Sequence, residues 1–334
     1  MTTPTRQPAR RRTSALVAAM AGSAVVLTGC SSASSAPEAE DGAITMQASW
    51  INDAEFSGYF TAIDEGLYDA EGVDFEYLPG GPSVVPESSL LAGTADVALT
   101  SPDTTINAIA EQGAPFVIIG AQYQRNPLGV VSLASSGIEA PADLVGKTVA
   151  VPDVNRLAFE AMLEINDVDP AKVMTVPYAY DPTPLLTGEV DATLDFVTNV
   201  PFTIEEAGEQ PSSFLLYDVG YRIPNDTVVV TRDTLENNRE ELVSWLRASR
   251  AGWEQNLADP AAYVPAFADT WFAGTGRSIE NEVYFNTAQK PLIESENGIF
   301  SLTEQQMLDT IDTLALVGIE ADETMFDLTL LDDL

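Results

Sequence analysis

Short apolar runs alternate with segments of helical period along most of the chain. The runs in the first part have the length of strands: 44–50, 73–78, 95–99 and 116–121. Between them, apolar residues recur every three or four positions in three segments: 56–65, a stretch that ends at 91, and one that begins at 101. This strand–helix–strand alternation predicts an α/β fold with a parallel sheet covered by helices.

The same alternation restarts after Pro127 and gives way to helices near the C-terminus. Further strands are predicted at 128–133, 147–151, 173–177, 192–196, 214–217 and 227–231. Helices are predicted at 156–165, near Asp181 and Asn199, and at 242–257, 260–272, 279–285 and 303–316. We therefore expect two α/β lobes joined by two crossings: 43–132 begins the first lobe, 133–220 forms the second, and 221–334 returns to the first with its helices.

The first 42 residues have a different composition. An arginine-rich start is followed by an apolar run over 15–27 and by Leu27-Thr28-Gly29-Cys30. These are the parts of a secretory signal, and the placement of the lone cysteine resembles the bacterial lipoprotein signal. We expect residues 1–29 to be removed, Cys30 to be lipidated, and 30–42 to form a flexible linker. An ordinary signal peptide with a chance cysteine is the alternative.

Composition narrows the function classes. Four of the 15 Lys and Arg precede Cys30, which leaves 11 against 51 Asp and Glu, a net charge of −40. Such a surface repels phosphate backbones, so we expect no nucleic-acid partner. The chain has no histidine, one cysteine and three lysines, Lys147, Lys172 and Lys290. This inventory disfavours an enzyme, and we expect no catalytic residues, no cofactor and no metal site.

A ligand site is expected beyond the carboxyl ends of the strands, where helix N-termini also point. In the first lobe these positions are Trp50, Asn52, Phe56, Tyr59, Ser83, Ser101, Asp103, Gln124 and Arg125. In the second lobe they are Asp153, Asn155, Tyr178, Asp195, Asn199 and Tyr217.

The aromatic and acidic candidates suit a flat heterocycle. Trp50, Phe56 and Tyr59 would form an aromatic wall, although Phe56 and Tyr59 also have the spacing of the core face of a helix. Asp103 or Asp195 would accept hydrogen bonds from an amino or amidine group. A carboxylate at a helix start, such as Asp103, is also favoured by the helix dipole alone.

Other candidates suit an anion. Ser83 and Ser101 would bind an anionic group together with backbone N–H groups of helix N-termini, although plain N-capping explains them equally. Arg125 either lies at the rim of the cleft or forms an ordinary surface ion pair. A heterocycle and a small oxyanion therefore both remain open as ligands.

Several short motifs appear in a fixed order along the chain. They are Trp50 to Ala62, Gly80-Gly81-Pro82, Leu91 to Val97, Gln124 to Leu128, Ala142-Asp143-Leu144 with Gly146-Lys147, Gly188 to Ala192, and Gly252-Trp253. Together they resemble the ABC-transporter solute-binding proteins of the family that includes thiamine-pyrimidine-precursor, riboflavin, sulfonate, taurine and nitrate binders. The family also contains the fungal enzyme that makes the thiamine pyrimidine.

This resemblance implies a type II periplasmic-binding fold, in which two α/β lobes close over a ligand in the cleft between them. It implies a monomeric receptor outside the cell, anchored here by lipid, that delivers a small molecule to the membrane permease subunits of an ABC importer. The motifs at 50–59 and 124–127 favour a thiamine pyrimidine precursor or riboflavin-like ligand. A sulfonate, taurine or nitrate receptor is the alternative. The fungal enzyme implies a cysteine-rich site, a histidine and a pyridoxal cofactor on lysine, and the first two are missing here.

Overall fold

Ten strands form two five-stranded sheets in the computed structural model, which describes residues 43–334. The predicted signal peptide, the linker and Cys30 lie outside the described residues. The strands are β1 Ala43–Gln47, β2 Asp74–Leu78, β3 Val97–Thr100, β4 Phe116–Tyr123, β5 Leu128–Leu133, β6 Thr148–Val151, β7 Met174–Pro177, β8 Ala192–Phe196, β9 Pro211–Leu215 and β10 Asn225–Thr231.

The two sheets have the same plan. The first has the order β2-β1-β3-β10-β4 and the second the order β7-β6-β8-β5-β9. In the first sheet β1 runs parallel to β2 and β3, whereas β10 runs antiparallel to β3 and β4. In the second sheet β6 runs parallel to β7 and β8, and β5 runs antiparallel to β8 and β9. Both sheets are therefore mixed, because each contains one strand that enters from the other lobe.

The position of β5 corrects one expectation. The first lobe was expected to extend to residue 132, but Leu128–Leu133 pairs along its length with β8 and β9 of the second sheet. The chain therefore changes sheet between β4 and β5, within residues 124–127, and returns between β9 and β10, within residues 216–224.

Twelve α-helices lie in the described part of the chain. They are α1 Ser57–Asp64, α2 Leu67–Ala70, α3 Pro86–Ala92, α4 Pro102–Gln112, α5 Arg156–Ile165, α6 Thr183–Leu186, α7 Val200–Glu206, α8 Arg232–Asn237, α9 Arg239–Ala258, α10 Pro260–Phe267, α11 Ile279–Ile293 and α12 Glu304–Leu316. None of these helices combines the length and the apolar character that crossing a membrane requires.

Alternation along the strands divides the first lobe into two apolar layers. Val228 and Val230 of β10 pack in the layer that contains Tyr59 of α1 and Trp245 of α9. Val229, between them, packs in the opposite layer with α4 and α12. Because successive strand residues point to opposite faces, one strand anchors helices on both sides. The C-terminal helices therefore pack on the first sheet, as predicted.

Helices α1 and α9 approach each other closely at two glycines. A Cβ atom on Gly252 would lie 2.4 Å from the carbonyl oxygen of Gly58, and one on Gly58 would overlap the ring of Trp253. Only glycine allows this contact, which lets Trp253 lie fully buried against α1.

The second lobe repeats the two-layer arrangement. Val130 of β5 and Leu194 of β8 pack with α5 on one face of the sheet. Val131 and Ala150 pack with α6 and α7 on the other face. Each lobe therefore has its own apolar core, and polar side chains are left for the surface between the lobes.

Candidate functional site

Five buried carboxyl groups lie around the carboxyl ends of β1 and β8. Asp53 and Glu55 follow β1, Asp195 lies near the end of β8, Asp226 begins β10, and Glu282 belongs to α11. Their exposed fractions are 1%, 4%, 8%, 1% and 0% in that order. We call these five residues the acidic cluster. Aspartate and glutamate are rarely buried to this degree without a charged partner.

Local structure fixes the members that follow β1. Asp53 caps a 3-10 turn over Ala54–Phe56 and accepts a hydrogen bond from the backbone N–H of Glu55 at 2.9 Å. The backbone N–H of Ala54 donates to Oε2 of Glu282 at 2.8 Å. The unpaired N–H groups at the start of this turn therefore hold two carboxylates in place.

Asp226 joins the cluster from the returning strand. Because β10 is antiparallel, its amino end lies beside the carboxyl end of β3. Asp226 has a φ of 45°, in the left-handed region that aspartate tolerates better than most residues. Its carboxylate accepts hydrogen bonds from the hydroxyl of Ser49 at 2.7 Å and from the amide of Gln122 at 3.3 Å.

Arg277 is the one cation that pairs with the acidic cluster among residues 43–334. It lies just before α11 and forms ion pairs with Asp53 and with Glu282, the latter at 2.8 Å from Nε to Oε1. Its guanidinium also lies 5.3 Å from the ring centroid of Phe285. One guanidinium therefore faces two of the five carboxylates.

Burial raises the pKa of every carboxyl in the cluster. The pKa of Asp195 and that of Asp226 rise to about 6, and the pKa of Glu282 rises to about 7. Burial, and then the charge of Asp226, raise the pKa of Glu55 well above its ordinary value. A side-chain hydrogen bond with Glu55 in turn lowers the pKa of Asp226.

Aromatic side chains from both lobes meet beside the cluster. The ring centroids of Trp50, from the first lobe, and Tyr180, from the second, are 4.7 Å apart. The ring centroids of Tyr178 and Tyr180 are 5.5 Å apart. Burial raises the pKa of Tyr178, and the charge of nearby Asp195 raises it further. Tyr180 has a φ of 59°, a strained conformation for an aromatic residue. The two lobes therefore touch through these rings.

Several buried polar atoms around this region have no hydrogen-bond partner among the described residues. They include Oε1 of Gln122, Oδ1 of Asn52 and the hydroxyl of Tyr178. The amide nitrogen of Gln122 already donates to the carbonyl oxygen of Glu55 at 2.8 Å and to Asp226. Buried polar groups normally have a partner, so these atoms are candidates for ligand contacts.

Comparison with known proteins places the chain in a family. Residues 53–263, more than half of the chain, match the family described as NMT1/THI5 like. The chain belongs to the NMT1/THI5-like family. The resemblance found in the sequence motifs is thereby confirmed.

Two curated relatives and one solved structure are similar to this chain over most of its length. The riboflavin-binding protein RibY of Chloroflexus aurantiacus is 23% identical over 65% of this chain and 63% of its own length, so the chain spans less than two thirds of that relative. The formylaminopyrimidine-binding protein of Halalkalibacterium halodurans is 26% identical over 65% of this chain and 67% of its own length. The periplasmic aliphatic sulphonate binding protein SsuA of Escherichia coli superposes with a TM-score of 0.66 at 15% identity, over 83% of this chain and 87% of that chain. The last match confirms the predicted periplasmic-binding fold.

Within this fold, five of the predicted site residues lie in or beside the region of the cluster. Asp195 is a member, Trp50 and Tyr178 contribute to the aromatic group, and Asn52 adjoins Asp53. Asn199 accepts a hydrogen bond from Asn281 of α11 at 3.3 Å, across the two lobes.

The predicted aromatic wall is wrong for two of its three members. Phe56 and Tyr59 are fully buried in the core of the first lobe. Tyr59 stacks on Trp245 at 6.2 Å and meets the edge of Trp253 at 5.9 Å. Their helical spacing indicated this core role, and the structure supports that alternative.

Three predicted polar residues lie on the surface or at helix ends. Ser83 is exposed in a turn, because α3 begins only at Pro86. Asp153 is exposed and pairs with Arg156 at 2.8 Å. Asn155 precedes α5 without a side-chain capping bond. None of the three forms a hydrogen bond with the acidic cluster in the described chain.

The start of α4 contacts the second lobe. Ser101 occupies the N-cap position without a side-chain capping bond. Asp103 is buried, and its Oδ2 accepts a hydrogen bond from the hydroxyl of Tyr221 at 3.3 Å. Burial raises the pKa of Asp103. Asp103 therefore already has a protein partner in the position where a ligand contact was predicted.

The remaining predicted residues lie within the two crossings between the lobes. The amide of Gln124 donates to the carbonyl oxygen of Ser301 at 2.8 Å, and its Oε1 accepts from Ser301 and Gln306. Arg125 pairs with Asp218 at 2.5 Å and lies 5.9 Å from the ring centroid of Tyr217. The ion-pair alternative for Arg125 is therefore the one that the structure shows.

The sequence predictions missed six residues of the site: Asp53, Glu55, Gln122, Asp226, Arg277 and Glu282. Asp53 and Glu55 lie between a predicted strand and a predicted helix, a position that indicated a site at the end of the strand. Arg277 is one of only 11 Lys and Arg after the signal region, and this scarcity was a second signal. Glu282 lies inside a helix among 51 acids, and no feature of the sequence distinguishes it.

Two other depressions of the described surface lie away from the cluster. One is lined by Glu160 and Glu164 of α5, and the other by Glu254 of α9 and Glu294 after α11. Neither is lined by a member of the acidic cluster.

Proposed function

We propose that this chain is the extracytoplasmic solute-binding receptor of an ABC importer and that it captures a small, flat heterocycle with amino or amidine N–H groups. The observation that carries the proposal is the buried acidic cluster beside Trp50 and Tyr180, where the two lobes meet. Carboxylates accept strong hydrogen bonds from such donors, and aromatic rings stack on flat ligands. Riboflavin and formylaminopyrimidine, which appear in the names of two relatives, are both flat nitrogen heterocycles.

Capture would follow from contacts with both lobes. A ligand held by Asp195 of the second lobe and by Trp50 of the first favours the closed arrangement, because only that arrangement makes both contacts. The closed form would then deliver the ligand to the permease subunits. The proposal includes a monomer anchored to the outer face of the membrane through a lipid on Cys30, with neither nucleic acid nor a cofactor as partner.

A small-oxyanion receptor is less well supported. Such a site needs a free cation or helix N-termini that converge on the ligand. Arg277, the cation of this region, is already paired with Asp53 and Glu282. The adjacent carboxyl groups would repel a sulfonate or a nitrate.

A pyrimidine synthase is also less well supported, because it needs a lysine in the site. All three lysines lie among the described residues. Lys147 and Lys172 precede β6 and β7, at the amino ends of these strands and opposite the acidic cluster. Lys290 pairs with Glu294 in the last turn of α11 and donates to the carbonyl oxygen of Leu257.

A thermal-shift panel of heterocycles and oxyanions tests the proposal. A ligand at a hundred times its Kd stabilises the native state by about 2.7 kcal/mol, which raises the melting temperature measurably. We expect aminopyrimidines or flavins to shift the wild type and sulfonates to leave it unchanged. Trp50→Ala should remove most of the shift and leave the ligand-free melting temperature nearly unchanged. Stabilisation by sulfonates alone would refute the heterocycle proposal, and imine absorbance with pyridoxal phosphate would refute a receptor role.

A further inference from the structure

We infer that the ligand of this site is a cation, a planar amidinium or aminopyrimidinium group held between the Trp50 and Tyr180 rings and the acidic cluster. The inference rests on the proposed function and narrows its ligand class. It is carried by the charge balance of the cluster, by the type of the unpartnered polar atoms and by the aromatic rings.

The charge balance leaves the cluster negative. Arg277 neutralises Asp53 and Glu282 only in part, since one guanidinium faces two carboxylates. Glu55, Asp195 and Asp226 form no ion pair with any Lys or Arg in residues 43–334. Asp195 and Asp226 therefore carry uncompensated negative charge above their pKa of about 6. A buried negative charge is costly, and a bound cation would relieve that cost.

Two of the unpartnered atoms are carbonyl oxygens of side-chain amides, whereas the Tyr178 hydroxyl can both donate and accept. Oε1 of Gln122 is fully buried without a partner, and its orientation is fixed because the amide nitrogen donates to Glu55 and Asp226. Oδ1 of Asn52 is likewise an unpartnered acceptor. A carbonyl oxygen can only accept hydrogen bonds. These two acceptors therefore favour a ligand with N–H donors.

The aromatic rings also favour a positively charged ligand. Trp50 and Tyr180 lie in contact at 4.7 Å, and Tyr178 lies at 5.5 Å from Tyr180. The face of an aromatic ring attracts a cation, most strongly for tryptophan and when water is excluded. A planar cation would combine this attraction with hydrogen bonds to the carboxylates at its edge.

Pairs of probes of similar shape and different charge test the inference. Benzamidine is compared with benzamide, and 1-methyl-4-aminopyrimidinium with 4-aminopyrimidine, by isothermal titration calorimetry at pH 8. We expect the cation of each pair to bind at least about tenfold more tightly than its neutral counterpart. Asp195→Asn should reduce this ratio to about twofold or less, and Asp153→Asn, an exposed carboxylate of the same lobe, should leave it unchanged.

The outcomes separate this inference from the proposed function. If the neutral members bind as tightly as the cations, the charge inference is refuted and the heterocycle receptor stands. If neither kind of probe binds, and flavins and aminopyrimidines also fail in the thermal-shift panel, both are refuted. Should Asp195→Asn fail to fold, the salt dependence of the wild type serves instead: added salt should weaken cation binding and leave neutral binding unchanged. Equal salt dependence for both members of a pair would overturn the inference.

Discussion

Replacing Asp195 by asparagine should make the ligand-free protein more stable at high pH. Burial raises the pKa of this carboxyl from an ordinary 3.8 to about 6. Between these values the folded state holds the proton more tightly than the unfolded state does, so stability falls as pH rises through this window. A pKa difference of this size corresponds to about 3 kcal/mol once the pH exceeds both values.

Asparagine removes the ionisation and keeps the local structure. Its side-chain oxygen can still accept the hydrogen bond from the backbone N–H of Phe196, which is 2.6 Å long in the wild type. We therefore expect Asp195→Asn to match the wild type at pH 4 and to exceed its unfolding free energy by about 3 kcal/mol at pH 8. Urea unfolding followed by tryptophan fluorescence at pH 4, 6 and 8 measures this difference without any ligand.

The control for this experiment is Asp153→Asn. It removes the same formal charge from the same lobe, but from an exposed side chain. Its effect on the unfolding free energy should be small and should stay nearly constant with pH. An Asp195→Asn variant that gains nothing between pH 4 and pH 8 would refute the reasoning, because Asp195 would then ionise at no cost in the folded state.

Four further outcomes follow from the packing and charge of the described residues. Tyr59→Ala should lower the unfolding free energy by about 3–5 kcal/mol in urea titrations, because it opens a cavity in the core, whereas Trp50→Ala should chiefly reduce ligand binding. Gly252→Ala should lower the melting temperature, since its Cβ would lie 2.4 Å from the Gly58 carbonyl oxygen, and an unchanged melting temperature would contradict this. Arg277→Gln should lower the unfolding free energy, measured in urea titrations, by about 3–5 kcal/mol at pH 8 and by less at pH 5, because two buried carboxylates lose their cation. An equal loss at both pH values would contradict this. Benzamidine affinity, measured by calorimetry, should fall as pH drops from 8 to 5, because Asp195 and Asp226 take up protons near pH 6, and a flat profile would contradict this.

Much of the fold was predictable from the sequence. The helix predicted over 156–165 is α5 Arg156–Ile165, and the strand predicted over 192–196 is β8 Ala192–Phe196. The predicted and observed bounds of these elements agree because apolar periodicity is a local property of the chain. The pairing of β5 was not predictable in this way, since the same apolar run fits either sheet, and only contacts with β8 and β9 place it in the second.

The site was predicted less completely. Trp50 and Asp195, which lie in the candidate site, were among the predicted residues because the carboxyl ends of strands can be located from the sequence. Tyr59 was misplaced because an aromatic residue at helical spacing fits a core and a cleft equally well. Glu282 was missed because its role depends on Arg277 and on the backbone of Ala54, which is 228 residues away along the chain.

The sequence by itself determined the α/β alternation, the two lobes and the family, because each depends on patterns within short stretches of chain. Only the tertiary structure decided which acids are buried together. It brings Ser49 to Asp226 across 177 residues and Asp53 to Arg277 across 224. Burial raises the pKa of the clustered carboxyls, and burial depends on all of the elements packed around them. The charge of the site is therefore a property of the folded chain and not of any segment.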